Sequence, residues 1–272
     1  MQQLLTDKIV LVAGGTSGVG AGIARAAVRE GATVVVSGRR PEPGDALAAE
    51  LGERASAVTG DVSDPEQAKG VVAATIERHG RIDCLVNCAG LTDRGSVLDT
   101  TPELFDAHIA TNLRGPFFTM QAAIADMTAR SAPGTIVNIA SISAQGGQPY
   151  LAPYVAAKAG LIGLAESLHY QLSNTGVQVT ALCPGFVRTN IYRAAGDHDP
   201  DLPASMWSTP ERTVTHGMRR LIRTRKAIVV PERHDRLLLA GWRLLPKALR
   251  TRTAQAMYEP TRIPVATETP PS

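Results

Sequence analysis

Short apolar runs rich in β-branched residues alternate with alanine-rich segments of helical period along most of the chain. The apolar runs are nearly continuous, which is typical of parallel strands that are covered on both faces. The repeated alternation predicts an α/β fold with a doubly wound parallel sheet of about seven strands, helices on both faces and a single domain. The predicted strands are Ile9–Val12, Thr33–Val36, Ser56–Thr59, Cys84–Asn87, Thr135–Ile139, Gln178–Leu182 and Ala227–Val230.

The segments between these strands have the period and the start signals of helices. Pro65 and Pro102 each follow a residue type that caps helices, and proline is favoured just inside a helix start. One stretch, Ile191–Thr215, is dense in proline and aspartate, and we predict a mobile, functional loop with short helical turns there. The predicted helices are Gly20–Glu30, Pro65–His79, Pro102–Arg130 and Pro153–Asn174.

Composition and charge narrow the class of protein. The chain has 272 residues, of which 44% are hydrophobic and 19% charged, which excludes a disordered or coiled-coil protein. The net charge of +3 conceals a division, because residues 1–218 carry 16 basic and 21 acidic residues, whereas residues 219–272 carry 12 and 4. The basic character is confined to the C-terminal end, so we expect no nucleic-acid partner.

Cysteines and apolar runs bear on the cellular compartment. Cys84, Cys88 and Cys183 cannot form a complete disulfide set and have no C-x-x-C spacing, so we expect small buried residues. The sequence shows no signal-peptide pattern and no apolar run near the roughly 20 residues that span a bilayer. The histidines have no ligand spacing, and no metal is predicted. These observations predict a soluble cytoplasmic protein.

A glycine-rich segment lies between the first strand and the first helix. Glycines allow a sharp turn and close approach of the backbone to a pyrophosphate, which then rests on the N-terminus of the helix. At this position the segment indicates a dinucleotide site in a Rossmann-like fold. The residues expected to contact the cofactor are Gly14, Thr16, Ser17, Gly18, Val19 and Gly20.

The end of the second strand bears on the choice of cofactor. Enzymes that use NAD usually place an acid there to bind the ribose 2′-hydroxyl, but this chain has Arg39 and Arg40 and no acid before Glu42. A guanidinium suits a 2′-phosphate. The sequence therefore predicts NADP(H), with Arg39 as the main contact, Arg40 as a secondary one and NAD(H) as the alternative cofactor.

Tyr154 and Lys158 are four residues apart on a predicted helix, so their side chains lie on one face. Tyrosine would have to lose about three pKa units, roughly 4 kcal/mol, to act as a base near neutral pH. A lysine ammonium about 4 Å away in a partly desolvated site supplies that order of energy. Ser141 follows another strand, at the carboxyl edge where ligands of parallel sheets bind.

Together these motifs resemble the short-chain dehydrogenase/reductase family, in the subgroup with G-x-x-x-G-x-G and Y-x-x-x-K patterns, over roughly residues 5–190. The resemblance implies a catalytic tetrad in which Tyr154 transfers a proton and Lys158 lowers its pKa and binds the nicotinamide ribose. Ser141 would bind the substrate oxygen, and Asn112 would hold a water molecule. Ala13 departs from the family, which usually has threonine there.

The resemblance also implies further contacts around the cofactor. Asp61 and Val62 would line the adenine. The neighbouring ribose and the nicotinamide would lie against Asn87, Ala89, Gly90, Pro184, Gly185, Val187 and Thr189. Substrate neighbours are expected among Ser143, Gln148, Tyr150 and Trp207.

These residues predict an NADP(H)-dependent oxidoreductase that transfers a hydride between the cofactor and a small-molecule carbonyl or secondary alcohol, with tyrosine as general acid and base. The alternatives are an NAD-linked dehydrogenase of the same family, a sugar epimerase or dehydratase, and a non-catalytic NADP-sensing regulator. The resemblance implies a homodimer or homotetramer formed through the helices Pro102–Arg130 and Pro153–Asn174.

The C-terminal part departs from the family. We expect a catalytic domain at residues 1–231 and a basic amphipathic extension at residues 232–272 with a frayed tail. Leucines and basic residues alternate over Arg236–Met257, and Pro246 divides this stretch into two short helices at most. The extension either packs on its own domain or a second subunit, which is the favoured interpretation, or lies on an anionic membrane surface.

Overall fold

A parallel sheet forms the centre of the protein in the computed structural model, which describes residues 3–189 and 203–257. The strands are β1 (Ile9–Ala13), β2 (Thr33–Gly38), β3 (Ala55–Thr59), β4 (Cys84–Asn87), β5 (Gly134–Ile139), β6 (Val177–Leu182), β7 (Phe186–Val187), β8 (Trp207–Ser208) and β9 (Ile228–Val229). Seven of them form one sheet in the order β3-β2-β1-β4-β5-β6-β9. The predicted doubly wound sheet is confirmed, and the separate ribbon of β7 and β8 was not predicted.

Helices cover both faces of this sheet. They are α1 (Gly18–Arg29), α2 (Pro41–Leu51), α3 (Pro65–His79), α4 (Pro102–Ile109), α5 (Gly115–Ala129), α6 (Ser143–Gly146), α7 (Ala152–Gln171), α8 (Pro210–Thr224), α9 (Arg233–Leu244) and α10 (Lys247–Met257). Short 3₁₀ turns occur at Gly52–Arg54 and Ala204–Met206, and a π-helical turn at Ala110–Arg114.

Two apolar cores lie on opposite faces of the sheet, because neighbouring residues of a strand point in opposite directions. Leu11 and Val35 contribute to the core under α3, α5 and α7. Val10 and Val34 contribute to the core under α1, α2 and α8. All four side chains are essentially excluded from solvent, as expected for strands with helices on both sides.

Two helices begin at prolines in places where no helix was predicted. α2 begins at Pro41 after Arg40, and α8 begins at Pro210, where the Thr209 side chain accepts a hydrogen bond from the Arg212 N–H. Proline is tolerated in the first turn of a helix because its missing N–H would have no partner there. The prediction of a loop up to residue 215 is therefore wrong from Pro210 onward, and residues 190–202 lie outside the described residues.

The long helix predicted at Pro102–Arg130 is interrupted. α4 and α5 are separated by the π-helical turn Ala110–Arg114, which contains Asn112. A π turn inserts one extra residue into the helix, and such turns are frequent at functional sites. The hydrophobic pattern continues through the turn, so periodicity alone does not reveal it.

The three cysteines are unpaired, and Cys183 is fully buried whereas Cys84 and Cys88 are partly buried. Burial raises the pKa of each of these thiols to about 12. They are therefore neutral near physiological pH.

The C-terminal part forms two helices on either side of Pro246, as predicted. Leu239 of α9 is buried in the larger core, so one face of this helix packs on the domain. The predicted frayed tail lies outside the described residues. In the described part of the chain, no helix is both long and apolar enough to cross a membrane.

Candidate active site

Loops at the carboxyl ends of β1, β4, β5 and β6 meet at one edge of the sheet, which is where parallel α/β proteins bind ligands. The backbone after β4 is tied to β1, because the N–H groups of Cys88 and Ala89 both donate to the Ala13 carbonyl, at 2.8 and 2.9 Å. The Ile142 N–H donates to the Pro184 carbonyl at 3.0 Å, which joins the loops after β5 and β6. The topology therefore brings together segments that are far apart in the sequence.

The glycine-rich loop fits a phosphate group. Gly14 and Gly18 have φ values of +79° and +52°, and a side chain at Gly14 would collide with the Ala89 backbone. Ser17 makes no side-chain capping bond at the start of α1, and the first turn of α1 has no acidic residue. The N–H groups at this helix end are therefore free of a side-chain cap and of a competing negative charge, which suits an anion.

Two arginines follow β2 beside this loop. Arg39 and Arg40 are exposed, and neither has a hydrogen-bond or ion-pair partner within residues 3–189 and 203–257. Thr16 lies against the end of β2, since a side chain at Gly38 would come within 2.8 Å of the Thr16 methyl group. The guanidinium groups are therefore available to an anionic ligand next to the glycine-rich loop.

The next loop along the sheet, after β3, is held by its own hydrogen bonds. Asp61 accepts a bond from the Ser63 N–H at 2.9 Å, and Val62 is buried. Their expected contact with the adenine stays a prediction.

Tyr154 and Lys158 occupy the first turns of α7, beneath the end of β5. The Lys158 Nζ donates to the Ile139 carbonyl at 2.8 Å and lies 5.9 Å from the centre of the Tyr154 ring. Burial lowers the pKa of Lys158 to about 8, and burial raises the pKa of Tyr154 although a hydrogen bond with Ser141 acts in the opposite direction. Burial therefore acts against the lowered tyrosine pKa that the resemblance implies, and the Ser141 hydrogen bond acts towards it.

Asn112 holds the loop that follows β4. Its amide donates to the Leu91 carbonyl at 2.8 Å and accepts from the Leu91 N–H at 3.2 Å. A side chain at Gly90 would lie 3.4 Å from the Asn112 Oδ1 and 3.8 Å from the Lys158 Nζ, so Gly90 sits between these two residues. The π-helical turn thus brings Asn112 to the tetrad, where its visible role is to fix a backbone segment.

Asn87 has a structural environment. Its side chain is buried, donates to the Asn138 Oδ1 at 2.9 Å and accepts from the Thr119 hydroxyl at 2.7 Å. The amide faces the sheet interior through these bonds. Any contact of Asn87 with a cofactor would have to come from its backbone.

A cleft of about 100 Å³ lies above Ser141 and Tyr154. Phe186, Thr92 and Leu151 also line it and were not predicted, although Phe186 directly follows the Pro184-Gly185 pair that indicated this loop. The predicted residues on its wall are Val19, Ser141, Ser143, Gln148, Tyr154, Pro184, Gly185, Val187 and Thr189.

Two of the predicted substrate neighbours are not on this wall. The Trp207 ring packs 5.8 Å from the Phe186 ring, one layer behind the cleft. Tyr150 has a φ of 63°, and its carbonyl accepts a bond from the Gly95 N–H.

A larger cavity of about 620 Å³ lies at the opposite, amino-terminal edge of the sheet, between α1 and α8. Val10, Val86 and Val137 form its floor, and none of the tetrad residues lines it. The smaller cleft is therefore the candidate active site. In the described residues no group of three His, Cys, Asp or Glu side chains is arranged to hold a metal ion.

A glycine-rich cradle at the start of α1 and a Ser-Tyr-Lys set at the same sheet edge define a nicotinamide-dependent oxidoreductase of the Rossmann type. The sequence profile described as "short chain dehydrogenase" matches residues 8–200. The chain belongs to this family, whose members use NAD(P)(H) on small molecules and are often oligomeric. It is an oxidoreductase that acts on CH–OH or C=O groups.

Individual relatives agree with this assignment. Oxidoreductase UcpA of Escherichia coli (strain K12) is 37% identical over 205 residues, which cover 72% of this chain and 77% of UcpA. The 3-ketoacyl-(acyl-carrier-protein) reductase of Brucella melitensis, complexed with NADH, has a TM-score of 0.75 and 26% identity over 84% of this chain and 95% of that chain. A variant of actinorhodin polyketide ketoreductase with NADPH has a TM-score of 0.74 and 30% identity, covering 82% and 95%.

Proposed function

We propose that the protein is an NADP(H)-dependent carbonyl reductase or alcohol dehydrogenase in which Tyr154 is the general acid and base. The observation that carries this proposal is the convergence of Ser141, Tyr154 and Lys158 beneath one cleft that also contains the loop Pro184-Gly185. Each of these three residues has a polar group suited to one part of a hydride transfer.

Tyr154 and Ser141 have different roles in the proposed reaction. In reduction, the neutral Tyr154 hydroxyl donates its proton to the carbonyl oxygen, and in oxidation the phenolate removes a proton from the alcohol. Ser141 donates a hydrogen bond to the same oxygen as negative charge develops on it. A bound nicotinamide supplies or accepts the hydride.

Lys158 provides positive charge under the site. With a pKa of about 8 it remains mainly protonated at neutral pH, and its bond to the Ile139 carbonyl fixes its position. A fixed cation near the phenol favours the phenolate once the site is closed to water. The cofactor ribose is the expected second partner of the ammonium group.

The preference for NADP(H) is supported by charge. Arg39 and Arg40 are exposed and unpaired beside the glycine-rich loop, and a 2′-phosphate is the feature that distinguishes NADP(H) from NAD(H). Of the solved relatives, one was complexed with NADH and another with NADPH, so the local arginines carry the argument here.

The decisive experiment follows NADPH oxidation with a panel of ketones and aldehydes, using wild type and Tyr154→Phe. We expect turnover by the wild type on at least one carbonyl and a loss of about 10²–10⁴-fold in Tyr154→Phe, which is the usual contribution of a general acid. NADPH affinity, measured by fluorescence quenching, is expected to stay within about threefold. Binding of NADPH without turnover of any carbonyl would favour the alternative of an NADP-sensing regulator.

We infer that subunits associate as a homodimer or homotetramer through α4–α5 and α7. These helices expose Phe105, Phe117 and Tyr170, which are 44%, 38% and 67% accessible in one chain. Exposed aromatic side chains are enriched at interfaces between subunits. Light scattering that gives the mass of a single chain would contradict this assembly.

The three unpaired thiols support a reducing compartment, the cytoplasm.

We also propose that the outer face of α9 and α10 contacts an anionic membrane surface. Leu237, Leu244 and Leu249 are 73%, 85% and 46% exposed there, and residues 236–257 contain five basic residues and no acidic one. A two-fold interface through this face would place like charges opposite each other. Apolar side chains surrounded by cations fit a bilayer interface instead.

A further inference from the structure

Two buried carboxylates stand at the start of α9. Glu232 and Asp235 are each only 2% exposed. Both lie beyond residue 200, where the match to the family profile ends. Since burial of a carboxylate is unfavourable unless it is paired or hydrogen-bonded, the partners of these two side chains indicate what they do.

Asp235 binds the backbone of the cleft. Its Oδ2 accepts a hydrogen bond from the Gly185 N–H at 3.1 Å, and a side chain at Gly185 would collide with the same carboxylate. Its Oδ1 lies 3.2 Å from the His234 Nε2. Gly185 lines the cleft above Tyr154, so Asp235 connects α9 to the cleft wall through one backbone group.

Glu232 binds the ribbon behind the cleft. Its Oε1 accepts a hydrogen bond from the Ser208 hydroxyl at 2.9 Å, and its Oε2 lies 2.8 Å from the His216 Nδ1 and 3.4 Å from the Arg212 Nε. The Ser208 hydroxyl also accepts a bond from the Thr213 hydroxyl at 3.0 Å. These bonds fix the Ser208 side chain, and neither Ser208 nor its two partners line the cleft.

The ribbon transmits this contact to the cleft. Val187 pairs with Ser208, and the Arg188 N–H donates to the Ser208 carbonyl at 2.9 Å. Phe186 and Val187 form part of the cleft wall. Glu232 therefore restrains two wall residues through Ser208, on the segment that directly follows Gly185.

Local helix stability does not explain these contacts. Glu232 is the N-cap residue of α9, yet its side chain makes no capping bond to the helix, and Asp235 in the first turn binds Gly185 instead. α9 also contacts the short helix α6, because Arg243 donates to the Gln145 Oε1 at 2.9 Å, two residues after Ser143 of the cleft wall. Replacement of buried charged groups by apolar ones often leaves stability unchanged, so stability alone is weak grounds for keeping them.

We propose that Asp235 and Glu232 are positioning residues which hold Gly185 and the Phe186–Val187 strand against the cleft, so that α9 sets the geometry in which the carbonyl substrate binds. The proposal rests on the proposed function, because the cleft is taken as the substrate site. It gives the start of the C-terminal extension a role in specificity through backbone and ribbon contacts of Glu232 and Asp235, neither of which lines the cleft.

The test compares variants that differ in hydrogen-bond acceptance. Asp235→Asn keeps an oxygen for the Gly185 N–H, whereas Asp235→Leu has similar volume and no acceptor. Ser208→Ala removes the bond to Glu232 by a smaller change and serves if Asp235→Leu does not fold. Asp83→Leu is the matched control, since the Asp83 side chain is only 10% exposed and accepts a backbone bond from the Ile9 N–H at 2.9 Å at the opposite edge of the sheet.

We expect Asp235→Leu and Ser208→Ala to raise KM for the carbonyl substrate by about tenfold, the loss of roughly one net hydrogen bond. Asp235→Asn and Asp83→Leu should stay within about threefold of wild type, although Asp83→Leu lowers the melting temperature. The proposal would be overturned if Asp235→Leu and Ser208→Ala changed KM no more than the control Asp83→Leu does. The two carboxylates would then contribute to stability and not to the geometry of the cleft.

Hydrogen–deuterium exchange separates this proposal from the proposed function. In the full-length protein without substrate, we expect faster exchange at residues 184–189 in Asp235→Leu and Ser208→Ala, and wild-type exchange there in Asp235→Asn and Asp83→Leu. If exchange at residues 184–189 is unchanged in both Asp235→Leu and Ser208→Ala, the two carboxylates do not restrain this segment, even if the enzyme is active. Faster exchange in a protein without carbonyl turnover would retain the restraint and reject the proposed function.

Discussion

Burial shifts the pKa values of two residues of the predicted tetrad, Tyr154 and Lys158, in opposite directions. Burial favours the neutral form of both Tyr154 and Lys158, so it raises the pKa of the acid and lowers that of the base. The raised pKa of Tyr154 favours the protonated phenol, which is the form that the proposed proton donor needs in reduction. A buried lysine that stays charged at neutral pH is held at the expense of stability.

This balance predicts that Lys158→Met stabilises the protein at neutral pH while abolishing activity. The folded-state pKa of about 8 lies below the unfolded value of 10.5, so the charged lysine disfavours folding below pH 8. The penalty disappears as pH rises from 8 to 10.5, because the unfolded chain then loses its proton too. We expect urea unfolding to give Lys158→Met an advantage of up to about 3 kcal/mol at pH 7.

The stability advantage of Lys158→Met over wild type should be smaller at pH 10 than at pH 7. Groups that titrate equally in both proteins do not affect this difference. Lys158→Arg is the control, because it keeps a buried cation that does not titrate in this range: it should have no advantage over wild type at pH 7, and relative to wild type it should lose as much stability toward pH 10 as Lys158→Met does. A Lys158→Met protein that is less stable than wild type at pH 7 would mean that the bond to the Ile139 carbonyl outweighs the burial penalty.

Arg39 is predicted to determine the cofactor preference. Arg39→Asp removes a partner of the 2′-phosphate and adds repulsion, so kcat/KM with NADPH should fall at least about 30-fold, which corresponds to about 2 kcal/mol for a charge-assisted contact. The value with NADH should change much less, since NADH lacks this phosphate. Arg40→Asp is the comparison variant and should have a smaller effect. A wild-type preference for NADH would contradict the assignment.

At the scale of elements, the sequence predicted the central strands well and helix starts at prolines less well. Continuous apolar runs such as Thr33–Val36 identify buried strands directly, because both faces of the sheet are covered. α2 and α8 were missed because their prolines are typical of loops as well as of first helical turns. The β7–β8 ribbon has only two residues per strand, too few for a period to be visible.

The candidate site was predictable where a motif identifies a strand end. Gly14, Ser141 and the Tyr154–Lys158 spacing each mark a position that the parallel topology brings to one edge. The side-chain partners were not predictable in this way. The amide bonds of Asn112 to Leu91 depend on a π turn, and Asp235 meets Gly185 across 50 residues of sequence.

The start of α8 offers a test of an element that the sequence did not predict. Thr209→Ala removes the side-chain acceptor of the Arg212 N–H, which should cost about 1 kcal/mol of stability. In a chain of this size the melting temperature should fall by about 2–4 °C. Thr209→Ser keeps the hydroxyl and should behave as wild type. Identical melting of Thr209→Ala and wild type would show that packing of α8 on α1 alone sets this helix start.

At the scale of the whole molecule, charge and function are divided along the chain. The candidate active site is built from the first 218 residues, which have an acidic excess, whereas the basic excess lies in the last 54. α9 links the two parts, since its buried Leu239 and Asp235 face the domain while Leu237 and Leu244 face outward. One face of α9 is buried against the domain, and the other exposes leucines among basic residues. The exposed face can therefore contact a surface while the buried face stays packed on the domain.

This arrangement predicts salt-sensitive binding to anionic vesicles. The full-length protein should sediment with vesicles of phosphatidylcholine and phosphatidylserine at low salt, and much less with phosphatidylcholine alone. Each basic residue near such a surface contributes about 1 kcal/mol, and raising the salt to about 1 M shortens the screening length to about 3 Å. Most of the bound protein should therefore be released at that salt concentration.

Exposed leucines allow a matched comparison of variants. Leu244→Glu replaces a side chain that is 85% exposed on α9 and should abolish vesicle binding, because it removes apolar contact and adds repulsion. Leu98→Glu changes a leucine that is 76% exposed outside the extension and should bind as wild type apart from a small effect of net charge. A different result would contradict the membrane proposal: the wild type does not bind vesicles, and Leu244→Glu has a lower oligomeric mass than wild type. This face would then be a contact between subunits, because only such a contact is affected by the substitution when no lipid is present.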